Sequence, residues 1–465
     1  MMLSLSESAA MIGGRLTGHD AVYDGVVTDS RGDCRGQLFV ALRGERHDGH
    51  DHVARAQENG AVAALVEHPL QSDLPQCVVQ DTRRGLGRLA AGWRERIPAR
   101  VVAITGSNGK TTVKEMVAAI LSRIGRTRAT RGNLNNDIGM PLTLLSARDE
   151  DYLVLEMGAN HPGEIGYLSA IAQPDAALIT NAGRAHLEGF GSVEGVARAK
   201  GEIASGLRPD GTFVFPADAP WTALWLALAD GRSSLTFGGG TDARIRADAD
   251  SVRTQWDDDG FRTRFQADID DEVVAVDLAL AGRHNVRNAL GAMAVARALG
   301  IPSRAMQEGL ASLRPVSRRL QPRQCQTPAG TRLRIIDDSY NANPDSLGAA
   351  IDVLTDLCRS STAPNARGLL AMGDFGELGP DSEALHRDMG AAARAAGVDA
   401  LFAVGALAAA AAAGFGDGGR AFQDQAALVT ALRAAAGPED VLLVKGSRAS
   451  GMDRVTDALC ERETG

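Results

Sequence analysis

Three clusters in this chain hold residue types that could do chemistry. The first is Ala103 to Met116, AITGSNGKTTVKEM. Gly106, Ser107, Asn108 and Gly109 let the backbone turn with its amides pointing inward, and Lys110, Thr111 and Thr112 follow at once. Free amides and the dipole at a helix start attract phosphate. Lys110 adds a point charge for terminal phosphates, and the Thr111 hydroxyl can bind Mg2+. The common phosphate loop has a further glycine where this chain has Ile104. The bland alternative is a Gly-rich turn with a solvated lysine. Against it, VVAIT reads as a buried strand. Val113, Met116, Val117, Ile120, Leu121 and Ile124 then recur at the spacing of one apolar helix face.

The second cluster is Glu156 and His186. Glu156 directly follows DYLVL, so it sits at the carboxyl end of a buried parallel strand, where open α/β sheets place ligands. A carboxylate there can hold Mg2+. His186, in ITNAGRAHLEGFGS, follows the next strand on the same sheet edge and could bind a second cation or a phosphate oxygen. The third is Lys200 in SVEGVARAKGEIASGL, a helical pattern with Ser192 as N-cap. Val193, Val196, Ile203 and Leu207 mark its apolar stripe, and Lys200 falls on it. Such a lysine usually snorkels to water. The alternative is a partly desolvated amine of lowered pKa, able to capture CO2 as a carbamate.

These clusters need parallel strands to position them. RVVAIT, DYLVLEM and DAALITN suit strands buried on both faces, each followed by a turn and a helical pattern. At 465 residues the chain exceeds one ordinary core, and we expect three α/β domains. Residues 1–84 read as a small unit with strands GQLFVAL and AVAALVE around the helix HVARAQENG. Residues 85–313 form the central P-loop-type parallel sheet, with antiparallel strands added between Asp242 and Leu280 and a hairpin turn at DDDG, Asp257 to Gly260. Residues 314–465 carry LRIIDDSY, GLLAMGDF, ALFAVG and DVLLVKGS between helical stretches, a Rossmann-like doubly wound sheet without a G-x-G-x-x-G dinucleotide signature. Net charge is −9 with no extended basic patch, which argues against nucleic acid. The first residues show no secretory pattern, and ALFAVGALAAAAAAGFG is too short and Ala-rich for a membrane span. Cys34, Cys77, Cys325, Cys358 and Cys460 are scattered, so no disulfide framework is expected and a cytoplasmic setting is.

TGSNGKTT, EMGAN, TNAGRAHLEGFGS with ARAKGEI, AGRHNVRNALGA and DDSYNANP resemble, in order, the signature segments of the Mur ligases. The likeness runs from VVTDSRGDCRGQLFVALRGERHDGHD to VLLVKGSRAS, and the shorter T-G-x-x-G-K-T-T loop is the family's form. DDSYNANPDS, AMGDFGELG and GNLNNDIGMPLTLL most resemble the family members that join D-alanyl-D-alanine to UDP-N-acetylmuramoyl tripeptide. The resemblance implies an ATP-dependent ligase that works through an acyl phosphate and forms the peptidoglycan pentapeptide precursor, a step in cell-wall biogenesis, cell shape and division. It further implies that Lys110 contacts terminal phosphates, that Thr111 and Glu156 serve one Mg2+ and His186 a second, and that Lys200 is carbamylated. Asn285, and less directly Asn288, match residues near the adenine. Arg319 matches a hinge arginine, although this chain has Arg318 where the family more often has glycine. Asp338, Tyr340 and Asn343 match the C-terminal share of the nucleotide site.

By the same resemblance the first domain holds the UDP-sugar, with Ser30, Arg31, His47 and Asp48 at the ligand; Asn133, Asn135 and Asn136 lie on the substrate side, and the sequence does not say which of them makes the contact. HDGHDH also reads as a short metal tract, but no cysteine or capping helix supports zinc. Two other functions compete. One is a relative acting on another acid, such as a folylpolyglutamate synthase or an earlier Mur ligase. The other is a P-loop switch or mechanical ATPase, which leaves the outer domains without a role. The expected partners are the two small substrates alone, with the protein a monomer. ATP on the middle domain and residues from the last one imply that the domains close.

Overall fold

The computed structural model describes residues 2–240, 242–257, 260–326, 332–360 and 366–461. Among these residues the strands build three principal sheets and one two-stranded pair, Leu3–Ser4 with Val22–Tyr23. The first principal sheet runs Arg15–Thr17, Gln76–Val78, Ala63–Val66, Gln37–Val40, Gly25–Val27, parallel except at Arg15–Thr17. The helix Val53–Glu58 lies between two of its strands in sequence, as the pattern predicts. From there the chain enters the helix Thr82–Arg94, inside which the expected boundary after residue 84 falls. That helix buries Leu86, Leu89 and Ala90 in a core shared with the central sheet. Its end is pinned by the Trp93 indole N–H donating to the Ala147 carbonyl at 3.0 Å and by the buried Arg94, whose Nε donates to the Ala172 carbonyl at 2.9 Å.

The central sheet starts at the edge with Thr127–Ala129. It continues through Tyr152–Glu156, Arg100–Thr105, Ala176–Ile179, Thr212–Pro216, Ser233–Gly238 and Ile245–Ala247, all parallel. Gly260–Ile269 then adds antiparallel and pairs with Arg253–Asp257 and Glu272–Leu278. Strands buried on both faces explain the unbroken apolar runs. The antiparallel expectation after Asp242 holds, while the DDDG turn lies partly outside the described residues. The three strands carrying the site are neighbours: Glu156 stands beside Ile104, and Ile179 beside Thr105. Side by side and parallel, they deliver the phosphate loop, Glu156 and the His186 loop to one edge. The helix after the loop ends at Leu121, not at Ile124, which is 43% exposed in the following turn.

The last sheet runs Gln321–Gln326, Arg332–Asp338, Val441–Lys445, Gly368–Gly373, Ala400–Val404, Gly419–Phe422, parallel after its first, antiparallel pair. Ala408–Phe415 is the Ala-rich helix, and among the described residues no helix is long and apolar enough to cross a membrane. One cysteine expectation needs correction. Cys325 and Cys460 form a disulfide across 135 residues, their Cα atoms 4.9 Å apart. Sequence distance hid the pair, because the helix Asp453–Cys460 folds back beside the strand Gln321–Gln326.

Candidate active site

A cavity of about 1530 Å³ opens between the central and last sheets, with Asp81, Arg83 and Arg84 at the start of the helix Thr82–Arg94 closing one end. Its floor is the phosphate loop. Gly106 has φ +147°, and a Cβ there would stand 2.0 Å from Thr180 Oγ1; Gly109 has φ +80° and backs onto Asn288. Both positions therefore demand glycine. The loop is braced from the next strand: the Asn108 amide N–H donates to Asn181 Oδ1 at 2.9 Å, and Thr180 Oγ1 donates to the Asn108 carbonyl at 2.6 Å. Ser107 Oγ accepts from the Gly183 N–H at 3.0 Å. The helix Lys110–Leu121 has no side-chain cap, which leaves its first amides available for an anion. Lys110 Nζ donates to the Gly106 carbonyl at 2.6 Å, and burial, opposed by Glu156, pushes its pKa down. Thr112 also lines the cavity.

Glu156 is 3% exposed and fully engaged: Thr111 Oγ1 donates to its Oε2 at 2.9 Å and Asn135 Nδ2 to its Oε1 at 2.8 Å. Asn136 instead spends its side chain on the helix Gly139–Leu145, accepting from the Gly139 N–H at 2.8 Å, while Asn133 faces the same cavity. His186 adopts a left-handed φ of 53° at the start of Leu187–Phe190 and meets Glu377 at 2.7 Å. Burial lowers its pKa against the pull of Glu377, with Lys110 and Lys200 adding to the depression. Lys200 lies in the last turn of the helix Val193–Gly201, which Ser192 caps as expected. It is 1% exposed, with Nζ 5.1 Å from the Phe190 ring centroid and, among the described residues, no hydrogen bond or ion pair. Burial first, and Lys110 second, bring its pKa down to about 7. An amine so enclosed does not snorkel.

The last sheet closes the cavity. Asn343 Nδ2 donates to Asn108 Oδ1 at 2.7 Å, and Asn108 Nδ2 returns a bond to Asn343 Oδ1 at 3.4 Å. Arg184 Nε donates to Asp345 Oδ1 at 2.9 Å. Asp338 pairs with the buried Lys445, and the Arg319 guanidinium lies 4.3 Å from the Tyr340 ring centroid. Asn285 and Asn288 are both buried in the opposite wall and joined at 3.0 Å. Asp345, Glu377, Arg184 and Lys445 were missed in sequence reasoning. Lys445 was findable, since it ends a buried parallel strand just as Glu156 does. Ser30, Arg31, His47 and Asp48 lie outside the cavity wall. They stand on loops at the carboxyl ends of the strands Gly25–Val27 and Gln37–Val40. Ser30 accepts from Asn59 through its carbonyl, and Arg31 pairs with Asp29 at 2.8 Å. The metal-tract reading fails for His50: Asp48 holds Nδ1, and Nε2 accepts the Glu67 N–H at 2.8 Å.

Comparison with known proteins gives the family. The models of the Mur ligase family catalytic domain, the Mur ligase middle domain and the Mur ligase glutamate ligase domain match residues 22–94, 104–296 and 318–448. The chain belongs to the Mur ligase family. Among relatives of this Mur ligase, the UDP-N-acetylmuramoyl-tripeptide--D-alanyl-D-alanine ligase of Escherichia coli (strain K12) is 45% identical over 465 residues, 99% of either chain. A crystal structure of MurF from Acinetobacter baumannii superposes with TM-score 0.89 at 37% identity, covering 98% of both chains. Another from that organism, named UDP-N-acetylmuramoylalanyl-D-glutamyl-2,6-diaminopimelate--D-alanyl-D-alanyl ligase, has TM-score 0.84 at 37% identity, covering 98% of this chain and 97% of that one. MurF ligase from Thermotoga maritima, solved in complex with ADP, has TM-score 0.81 at 29% identity, with 94% and 96% covered.

Proposed function

We propose that this Mur ligase joins D-alanyl-D-alanine to UDP-N-acetylmuramoyl tripeptide at the expense of ATP, the step that makes the peptidoglycan pentapeptide precursor. The full-length likeness to ligases of that name supports the reaction. The observation that carries the site assignment is one cavity in which a phosphate loop, Glu156 and His186 face Asn343 and Asp338 from another sheet, with Lys200 buried behind its wall against Phe190. A carboxylate is a poor electrophile and must be activated. Phosphoryl transfer asks the protein for positioning and charge neutralisation rather than a nucleophile. The tripeptide carboxylate oxygen attacks the γ-phosphorus and ADP leaves. The amine of D-alanyl-D-alanine then attacks the acyl carbon, and phosphate departs carrying one former carboxylate oxygen.

Gly106 to Thr112 cradle the phosphates through backbone amides, with Lys110 at their terminal oxygens. Asn285 takes the adenine side, and Arg319, Asp338, Tyr340 and Asn343 complete the nucleotide site from the last domain. The oxygen donors of Thr111 and Glu156 fit Mg2+, which takes few protein ligands beside phosphate; His186 offers a place for a second ion. Mg2+ bound there supplies neutralisation of phosphate charge. The secluded Lys200 amine fits carbamylation, which would add an anion for the cations. Of the three asparagines, Asn133 is left to face the acyl donor, while Asn135 orients Glu156 and Asn136 caps the helix Gly139–Leu145. Ser30, Arg31, His47 and Asp48 hold its UDP-sugar from the carboxyl edge of the first sheet, where such sheets place ligands. We assign the domains as 1–84, 85–313 and 314–465, and the protein as a monomer acting on small molecules and not nucleic acid; we keep a cytoplasmic setting, although the Cys325–Cys460 bridge removes the cysteine argument for it.

Purified protein given ATP, Mg2+, the tripeptide and D-alanyl-D-alanine singly and together tests this. Phosphate is released only when both organic substrates are present. Release that ignores either of them supports a plain ATPase instead.

A further inference from the structure

The end of the cavity where the helix Thr82–Arg94 meets Glu164–Ala172 holds a charge that the proposed reaction does not use. Asp81 caps the first of these helices, accepting the Arg84 backbone N–H at 2.9 Å. Arg83 is neutralised by Asp137, with Nη2 donating to Oδ1 at 2.7 Å. Arg84 is different. Its guanidinium lies over the Tyr167 ring, 4.6 Å from the centroid, and among the described residues no carboxylate forms an ion pair with it. Both residues line the cavity. The ring beneath is seated by the helix itself: a Cβ at Gly87 would stand 2.0 Å from the Tyr167 hydroxyl oxygen, so only glycine lets it in. Held against a fixed ring and hydrogen-bonded to the Tyr167 side chain, the guanidinium loses little freedom when its remaining N–H groups grip a carboxylate.

We propose that Arg84 recognises a non-reacting carboxylate of the acyl-donor peptide. The inference rests on the ligase reading, which puts the reacting carboxylate at Lys110 and Glu156. Two other carboxylates are chemically available. A glutamyl residue keeps one after peptide bonding, and a diaminopimelate in third place keeps one at its far end. Lysine in that place has none.

The test compares wild type with Arg84→Gln and Arg84→Lys on four tripeptides, with diaminopimelate or lysine third and with the free glutamyl carboxylate intact or converted to its amide. Arg84→Gln is expected to raise KM for the diaminopimelate tripeptide about tenfold to a hundredfold, the loss of a charge-assisted contact. KM for ATP and for D-alanyl-D-alanine stays within about twofold, which also shows that the variant is folded. Arg84→Lys restores part of the loss. The penalty vanishes with lysine third if the far carboxylate is the one recognised, and with the amide if the glutamyl one is. An unchanged tripeptide KM, or an equal penalty on the peptide lacking both groups, overturns the inference and leaves the ligase intact. A wild type that turns over none of the peptides overturns the ligase reading itself and this inference with it.

Discussion

Lys200 bears the most specific chemical expectation of any single side chain here. Its amine is enclosed and its pKa is lowered to about 7 by burial, so much of it is neutral near pH 7 and able to take up CO2. The unfolded chain holds the extra proton from about pH 7 up to the ordinary lysine range, so stability rises with pH across that window and levels off below about 7. Activity is expected to fall as pH drops below about 7, and bicarbonate to offset part of the fall near that midpoint; steady-state rates across pH with and without bicarbonate check both. Lys200→Ala is expected to cut turnover by at least about a hundredfold, with partial rescue by a small added carboxylic acid. An active Lys200→Ala enzyme returns the lysine to a packing role. At this scale the sequence was readable where a residue's position on a strand decided its surroundings, as with Glu156; the stripe placed Lys200 inward, but the pattern alone favoured a lysine that snorkels to water. It was silent on which neighbour each would meet: nothing in RGNLNND distinguishes Asn135, which reaches Glu156, from Asn136, which caps a helix.

Elements, by contrast, were largely legible, because buried parallel strands and amphipathic helices leave patterns in consecutive residues. What escaped came from contacts distant in sequence. The Cys325–Cys460 bridge is one such contact. The hinge is another. Arg318 has φ 61°, a conformation that favours glycine, which is what the resemblance had placed there. It is held by Asp453 at 2.6 Å, on the returning terminal helix. Both Arg318→Gly and Arg318→Val remove the ion pair, but glycine relieves a left-handed strain of about 1–2 kcal/mol that the β-branched valine keeps or deepens, so the valine variant is expected to be the less stable. Chemical denaturation of the two variants checks the ranking. Close helix packing gives a sharper case: a Cβ at Gly390, in the helix Ser382–Ala396, would stand 1.9 Å from the Ala411 carbonyl oxygen. Gly390→Ala is expected to destabilise by about 1–3 kcal/mol, measured as a lowered Tm.

At the scale of the whole molecule, the central and last sheets are joined over the cavity, among the described residues, by Asn108 with Asn343, Arg184 with Asp345, and His186 with Glu377. Closure was an expectation from sequence, since Lys110 and Asn343 belong to different domains, but which residues meet across the cavity was not readable there. If these contacts favour the closed form, Asp345→Ala lowers its population and raises the apparent KM for ATP several-fold. Small-angle scattering with ATP and tripeptide bound is expected to show a compact particle for wild type and a more open one for the variant. The central claim is that the cavity activates a carboxylate by phosphorylation before an amine displaces the phosphate. Tripeptide labelled with 18O in its reacting carboxylate, turned over with ATP and D-alanyl-D-alanine, tests it by mass spectrometry of the released phosphate. The account predicts that one labelled oxygen moves from carboxylate to phosphate with each amide formed. Unlabelled phosphate accompanying labelled product would contradict it.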